Sequence, residues 1–292
     1  DLWLQRIAAN DPWGLIWMRH QHRDAYWRDG SVCEDFGAIK VPVYAVSGWA
    51  DNYSEAVPRL LAGLGPEKCR ALIGPWAHSF PMDVTVGPAI GWLQEVLRWC
   101  DHWMKGIATG IMDEPALRVW MQDSVPPRTC YSHRPGRWVA EDRWPSPRLR
   151  DWRLFPAQGQ LADLPEAGHA SICSPLWVGA AAGEIGRYGD EADWPTDQRE
   201  DDGGSLVWMT APLKEAVEIL GAPRLHLRVA SDKPLALVAV RLNDIAPDGA
   251  STRVTLGLMN LAHHKGHDRP QPLVPGEPVD VVVELDDIAH SF

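Results

Sequence analysis

The clearest ordered pattern starts at Ile39, where the chain runs V-P-V-Y-A-V-S-G and closes at Gly48. A continuous apolar, β-branched-rich stretch of this kind is how a strand buried on both faces of a parallel sheet reads. Ser54 can cap a helix running to Leu64, with Gly65 just past its end. Arg70 to Ile73 makes a second short apolar strand before Gly74. From about Pro88 to Lys105, apolar residues Ile90, Leu93, Val96, Leu97, Cys100 and Met104 fall at helical spacing, and Gly106 sits where a terminating glycine belongs. Residues 39–106 therefore read β-α-β-α, one end of an α/β sheet.

The segments on either side follow different patterns. Residues 1–37 are rich in Trp, Arg, His and Asp, with apolar spacing suited to short helices at Trp13, Ile16 and Trp17, then Tyr26 and Trp27. After Pro115 the pattern becomes alternation: A-L-R-V-W-M (116–121), W-R-L-F (152–155), L-H-L-R-V (225–229), L-V-A-V-R-L (237–242), V-T-L-G-L (254–258) and V-D-V-V-V-E-L (279–285). Half-buried strands separated by Pro, Gly and Asp-rich turns such as A-P-D-G (246–249) predict an antiparallel sandwich. Gly186 to Gly204, acidic and glycine-rich, reads as a long surface loop. The predicted divisions are 1–37, 38–112 and 113–292.

Composition narrows the function classes. The 292 residues suit about two domains, and 16 tryptophans call for many in the core or a pocket wall. A formal charge of -11, spread through the chain, argues against nucleic acid or an anionic membrane as partner and suits a neutral or cationic small molecule. Five widely spaced cysteines form no C-x-x-C pair and read as buried free thiols. No apolar run approaches the ~20 residues of a membrane span, and no signal peptide is recognisable. Asp1 lies inside an amphipathic helical pattern, so a natural start upstream is expected. The compartment is left open, with the cytoplasm favoured over secretion, and the oligomeric state is not read.

Both predicted parallel strands end in a short loop carrying a polar residue: G-W-A-D supplies Asp51 and G-P-W-A-H supplies His78. Active sites of open α/β sheets lie at those carboxyl ends. The two residues are 27 apart, one strand-helix-strand excursion, which makes their loops neighbours, and acid before base is the order of an α/β-hydrolase triad. The bland alternative has Asp51 capping a turn and His78 as an ordinary loop histidine.

The strings V-P-V-Y-A-V-S-G-W-A-D-N-Y, A-L-I-G-P-W-A-H and W-C-D-H-W-M-K-G-I-A-T-G-I-M-D-E-P-A-L-R-V-W-M, with Trp138, W-P at Trp144 and Pro145, and G-S-L-V-W-M-T (204–210), carry a resemblance over nearly the whole chain. The sequence resembles the CocE/NonD family of serine hydrolases, the cocaine esterase and X-Pro dipeptidyl-peptidase-like proteins. That resemblance implies a mixed fold class, α/β plus all-β. Residues 1–37 become the remnant of a helical cap, 38–112 the C-terminal part of an α/β-hydrolase domain, and 113–292 a jelly-roll β-sandwich. It implies acyl transfer on an ester or amide of an acyl or aminoacyl group, with Asp51 and His78 as acid and base of a Ser-His-Asp triad and no cofactor.

The nucleophile elbow G-x-S-x-G is not in the sequence. Family logic places it before Asp1, and the ending I-A-H-S-F resembles a point where further jelly-roll strands follow, so a missing N-terminal hydrolase segment is the expected partner. Trp49 and Trp76, which flank Asp51 and His78 in matching positions, are candidates for the wall of an acyl pocket, packing of the sheet end being the alternative. Asp24, Asp29, Glu34 and Asp35 read as a solvated helix face. His263, His264 and His267 read as a polar loop rather than a metal site, which would need a fourth ligand. The competing function is a carbohydrate- or partner-binding sandwich beside a vestigial hydrolase segment.

Overall fold

The computed structural model describes residues 1–84, 86–184 and 193–292. Three helices, α1 (Leu2–Ala9), α2 (Trp13–Arg19) and α3 (Ala25–Asp29), precede β1 (Val43–Gly48), α4 (Ala56–Leu64), β2 (Cys69–Gly74) and α5 (Trp92–Lys105). Then come β3 (Leu117–Asp123), β4 (Gly136–Glu141), β5 (Phe155–Ala157), β6 (Gln160–Ala162) and α6 (Arg199–Asp202). The chain continues with β7 (Glu218–Gly221), β8 (Arg224–Val229), β9 (Leu237–Ile245), β10 (Ser251–Asn260), β11 (Val279–Glu284) and β12 (Ile288–Ser291).

Two compact units divide the chain. One takes Asp1–Phe36, Leu225–Ala239 and Leu258–Val283; the other takes Gly37–Arg224, Val240–Gly257 and Glu284–Phe292. The larger unit holds a mixed sheet in the order β1-β2-β3-β12-β7, with β4 paired to β3. β1 and β2 are parallel, in a register that sets Gly48 opposite Gly74. Every residue of β2 is buried, including Arg70, whose guanidinium donates to the Ile111 carbonyl at 3.3 Å. Ala45, Val57, Leu61, Cys69, Ala71, Ile73, Ala116, Leu117, Val119, Met121 and Ala289 form the core. Each large aliphatic side chain there contributes about 1.5–3 kcal/mol through burial.

The helices end where the glycines stand. Gly65 closes α4 at φ 80° and Gly106 closes α5 in the left-handed conformation at φ 68°. Pro58 falls in the first turn of α4, where its missing N–H is not needed. Ser54 does not cap that helix: the cap position is Glu55, without a side-chain hydrogen bond, and the buried Ser54 hydroxyl meets Glu55 Oε2 at 3.5 Å.

Three further sequence expectations change. The 116–121 strand, read as part of an antiparallel sandwich, is β3 and pairs in parallel with both β2 and β12. Both of its faces are covered, so its alternation marks side-chain identity rather than exposure. The stretch read as a surface loop from Gly186 falls partly outside the described residues; from Asp193 onward it contains the buried Trp194, Gln198 and Asp201 and the short α6. Its acidic residues are drawn inward by Arg241, which donates to Asp201 Oδ2 at 3.0 Å and Asp202 Oδ1 at 3.0 Å. The five cysteines are free, as expected, yet only Cys69 is buried; Cys33, Cys130 and Cys173 are exposed.

In the smaller unit, Leu261, Leu273 and Val281 are buried against Leu227, Val229, Ala236, Val238, Met259 and Val279. β8 alternates as predicted, with Leu225, Leu227 and Val229 turned inward and Arg224, His226 and Arg228 outward. β8 pairs with β11 and β9 with β10, the latter joined at A-P-D-G, where Gly249 takes φ 83° and the Ala246 N–H donates to the Ala250 carbonyl. β5 and β6 form a short antiparallel pair.

Candidate active site

The parallel register of β1 and β2 brings their carboxyl ends to one level, so the two loops leave the sheet side by side. Two backbone hydrogen bonds join them: the Trp49 N–H donates to the Gly74 carbonyl at 2.9 Å and the Ala50 N–H to the Trp76 carbonyl at 3.0 Å. Asp51 ends the first loop and His78 the second. His78 Nδ1 lies 3.0 Å from Asp51 Oδ2. The carboxylate side chain is 10% exposed and the imidazole 41% exposed, so the acid sits inside and the base faces outward.

The rest of the Asp51 carboxylate is occupied too. Oδ1 accepts the Tyr53 N–H at 3.1 Å, and Oδ2 accepts the Ser47 hydroxyl at 3.5 Å. A carboxylate can only accept, so an imidazole paired with it through Nδ1 donates from that nitrogen, and in its neutral form carries the lone pair on Nε2. The Tyr53 ring stands edge-on to the imidazole, centroids 6.0 Å apart.

The tryptophans flanking the pair pack the sheet end. Trp76 is 1% exposed and its indole N–H donates to the Pro88 carbonyl at 2.8 Å. Trp49 is half-buried against the sheet core and donates to the Trp120 carbonyl at 2.8 Å. Away from the loops, the Tyr44 hydroxyl donates to Glu95 Oε2 at 2.9 Å and Arg118 Nη2 to the same oxygen at 2.7 Å, pinning α5 to β1 and β3. Burial drives the Tyr44 phenol upward, keeping it a neutral donor.

The other sequence candidates lie elsewhere. Asp24 caps α3 by accepting the Tyr26 N–H at 3.0 Å and pairs with His20 Nδ1 at 2.6 Å; Glu34 pairs with Arg23. His263 and His267 share an Nδ1···Nδ1 contact of 2.9 Å, while His264 Nδ1 faces the Leu261 carbonyl. Among the described residues no group of three or more His, Cys, Asp or Glu side chains is arranged to hold a metal. None of the described helices is long and apolar enough to cross a membrane. Sequence reading missed Gly48 and Gly74 as parts of the site, although each was visible as the residue that closes its strand.

Comparisons with known proteins converge on one family. The profile of the X-Pro dipeptidyl-peptidase C-terminal non-catalytic domain matches residues 109–292, and that of X-Pro dipeptidyl-peptidase (S15 family) matches residues 1–80, which contain Asp51 and His78. A Mycobacterium bovis protein named provisionally as a serine esterase is 26% identical over 100% of this chain and 48% of its own length. Cocaine esterase of Rhodococcus sp. is 22% identical over 91% of this chain and 49% of its own length. The chain thus spans about half the length of the curated relatives it matches. Among solved structures, an aminopeptidase from a Thaumarchaeota archaeon superposes with a TM-score of 0.72 at 20% identity, over 95% of this chain and 50% of that one. An α-amino acid ester hydrolase gives 0.67 at 21% identity, over 96% and 51%. At these identities the likeness is one of fold, α/β with additional β structure, and the assignment rests on the sequence profiles. The chain belongs to the CocE/NonD family of serine hydrolases, the cocaine esterase and X-Pro dipeptidyl-peptidase-like proteins.

Proposed function

We propose that this chain supplies the acid and base of a Ser-His-Asp hydrolase acting on an ester or amide. The observation that carries the reading is the 3.0 Å contact between His78 Nδ1 and Asp51 Oδ2 at the ends of adjacent parallel strands. His78 takes the proton of a serine hydroxyl as it attacks the substrate carbonyl, then activates water against the acyl-enzyme. Asp51 holds the tautomer and stabilises the imidazolium. The substrate is a small acyl or aminoacyl ester or amide, in keeping with relatives named as esterases and peptidases, which do not favour the binding-module alternative.

The serine comes from a polypeptide segment carrying G-x-S-x-G, a string this chain lacks, and that segment packs beside β1 and α5. Two features support that placement. β1 stands at one end of the sheet although its sequence is that of an interior strand. On α5, pinned against β1 through Tyr44, Leu93, Leu97 and Met104 are exposed. Residues 38–112 are read as the C-terminal part of the hydrolase domain, 1–37 as part of its cap and 113–292 as a jelly-roll sandwich. Trp49 and Trp76 are assigned to holding the loops rather than to contact with substrate.

The test is labelling with a fluorophosphonate, which reacts with an activated serine. A polypeptide joining this chain to a G-x-S-x-G segment of the same reading frame should label, and His78→Ala should suppress the labelling. This chain by itself should stay unlabelled and leave p-nitrophenyl acetate intact. Strong labelling that ignores His78→Ala would sink the reading.

A further inference from the structure

The two loops meet at Trp76, and the space for it is made by two glycines. A Cβ on Gly48 would lie 1.9 Å from the Trp76 carbonyl oxygen, 2.4 Å from its carbon and 2.8 Å from its Cα. A Cβ on Gly74 would lie 2.4 Å, 2.5 Å and 2.6 Å from the Trp76 indole atoms Cε2, Cδ2 and Cζ2. Neither glycine has a left-handed backbone, so close approach alone excludes a side chain at both. Trp76 is therefore gripped three ways: main chain against Gly48, ring across Gly74, indole N–H on the Pro88 carbonyl. The same Trp76 carbonyl accepts the Ala50 N–H at 3.0 Å, directly before Asp51.

We infer that Trp76, seated by Gly48 and Gly74, is the positioning residue that sets the distance and tautomer of the His78–Asp51 pair. The inference rests on the proposed reading of that pair as acid and base. Only the buried Ala77 separates Trp76 from His78, and the Ser79 N–H closes a tight turn on the Ala77 carbonyl at 2.8 Å. A displacement of the Trp76 main chain therefore reaches the imidazole with little slack. Gly48→Ala forces the Trp76 carbonyl back by about 1 Å, since heavy atoms do not pack closer than about 3 Å. That movement is enough to break a hydrogen bond now at 3.0 Å. Without a carboxylate on Nδ1, the imidazole is no longer held in the Nδ1–H form.

Ring ¹⁵N shifts of labelled histidine, read in this chain above the imidazole titration, test the inference directly, with the His78 signals assigned by their loss in His78→Gln. The wild type should show the Nδ1–H tautomer. Gly48→Ala should move the majority to Nε2–H with the circular dichroism unchanged. Gly168→Ala, where a Cβ meets nothing within 4 Å, should alter neither. A folded Gly48→Ala protein that keeps the Nδ1–H tautomer overturns the inference. Should Gly48→Ala not fold, Trp76→Phe decides: it keeps a ring over Gly74 and deletes the bond to Pro88, so a shift towards Nε2–H supports the inference and an unchanged tautomer overturns it. In the serine-complemented polypeptide, the same Gly48→Ala change should lower kcat by about 10²-fold, the cost of a ~1 Å misplacement, with KM nearly unchanged. A tautomer shift without any loss of turnover would leave the positioning role standing and refute the catalytic reading of the pair instead.

Discussion

Gly48 and Gly74 face each other in the register of β1 and β2, and from that level Asp51 follows after three residues and His78 after four, their side chains meeting at 3.0 Å. The pairing is a product of parallel registry, because a slip of β2 against β1 would carry the histidine past the acid. In a polypeptide that includes the serine, His78→Ala should abolish ester turnover. Asp51→Asn should reduce it by roughly 10⁴-fold through the wrong tautomer, the size of the same change in the chymotrypsin triad. Steady-state rates on p-nitrophenyl acetate check both, and near-normal rates in either variant would remove the pair from the mechanism.

Asp287 lines a small cavity with Trp49, Ile73, Leu117, Val119, Trp144 and Leu220, and burial pushes its carboxyl up to about 6. Its folded pKa lies above the ordinary 3.8, so the folded chain holds this proton more tightly than the unfolded one. Stability from this group is therefore present at low pH and is lost as pH rises from about 4 to about 6. Asp287→Asn, neutral throughout, should raise the melting temperature at pH 7 and bring little change at pH 4. Equal effects at the two pH values would contradict the assignment.

Leu61 on α4 is completely buried in the sheet core. Leu61→Ala should cost about 2–5 kcal/mol, the lost transfer energy plus the cavity left behind. Denaturant unfolding of the two proteins measures it, and a loss below about 1 kcal/mol would mean that the core collapses around the gap.

The Arg241–Asp201 pair is almost enclosed, with side-chain exposures of 13% and 1%. Asp201→Ala removes one of the two carboxylates that hold the Arg241 guanidinium, Asp202 remaining, and should cost about 1.5–3 kcal/mol. Adding Arg241→Met should recover part of that loss, because an enclosed ion pair contributes little beyond an apolar replacement. A double variant less stable than the single one would show that Arg241 is held chiefly by its other partners, Gln198, Asp202 and Ser205.

Much of the site was legible because its elements are local. The apolar runs before Gly48 and Gly74 announced strands buried on both faces, and the spacing of Asp51 and His78 placed their loops together. The glycines after α4 and α5 marked helix ends that the structure reproduces within a few residues. The 116–121 strand was misread because alternation in sequence does not say which strands it pairs with; β2 and β12 lie parallel beside it here. The acidic stretch around Asp201 resembled a surface loop because its neutralising cation, Arg241, is 40 residues away.

By itself the sequence determined the β-α-β-α segment, the pair of polar loops at its strand ends and the family to which the motifs belong. Those features depend on residues close together in the chain, where local preference and burial periodicity act. The tertiary structure decided which strands share the sheet, where the acidic residues go and why Gly48 and Gly74 must both leave room for Trp76. Each of these is a matter of what atoms from distant segments occupy the same space, and the 1.9 Å that a Gly48 side chain would leave to the Trp76 carbonyl is visible only after folding.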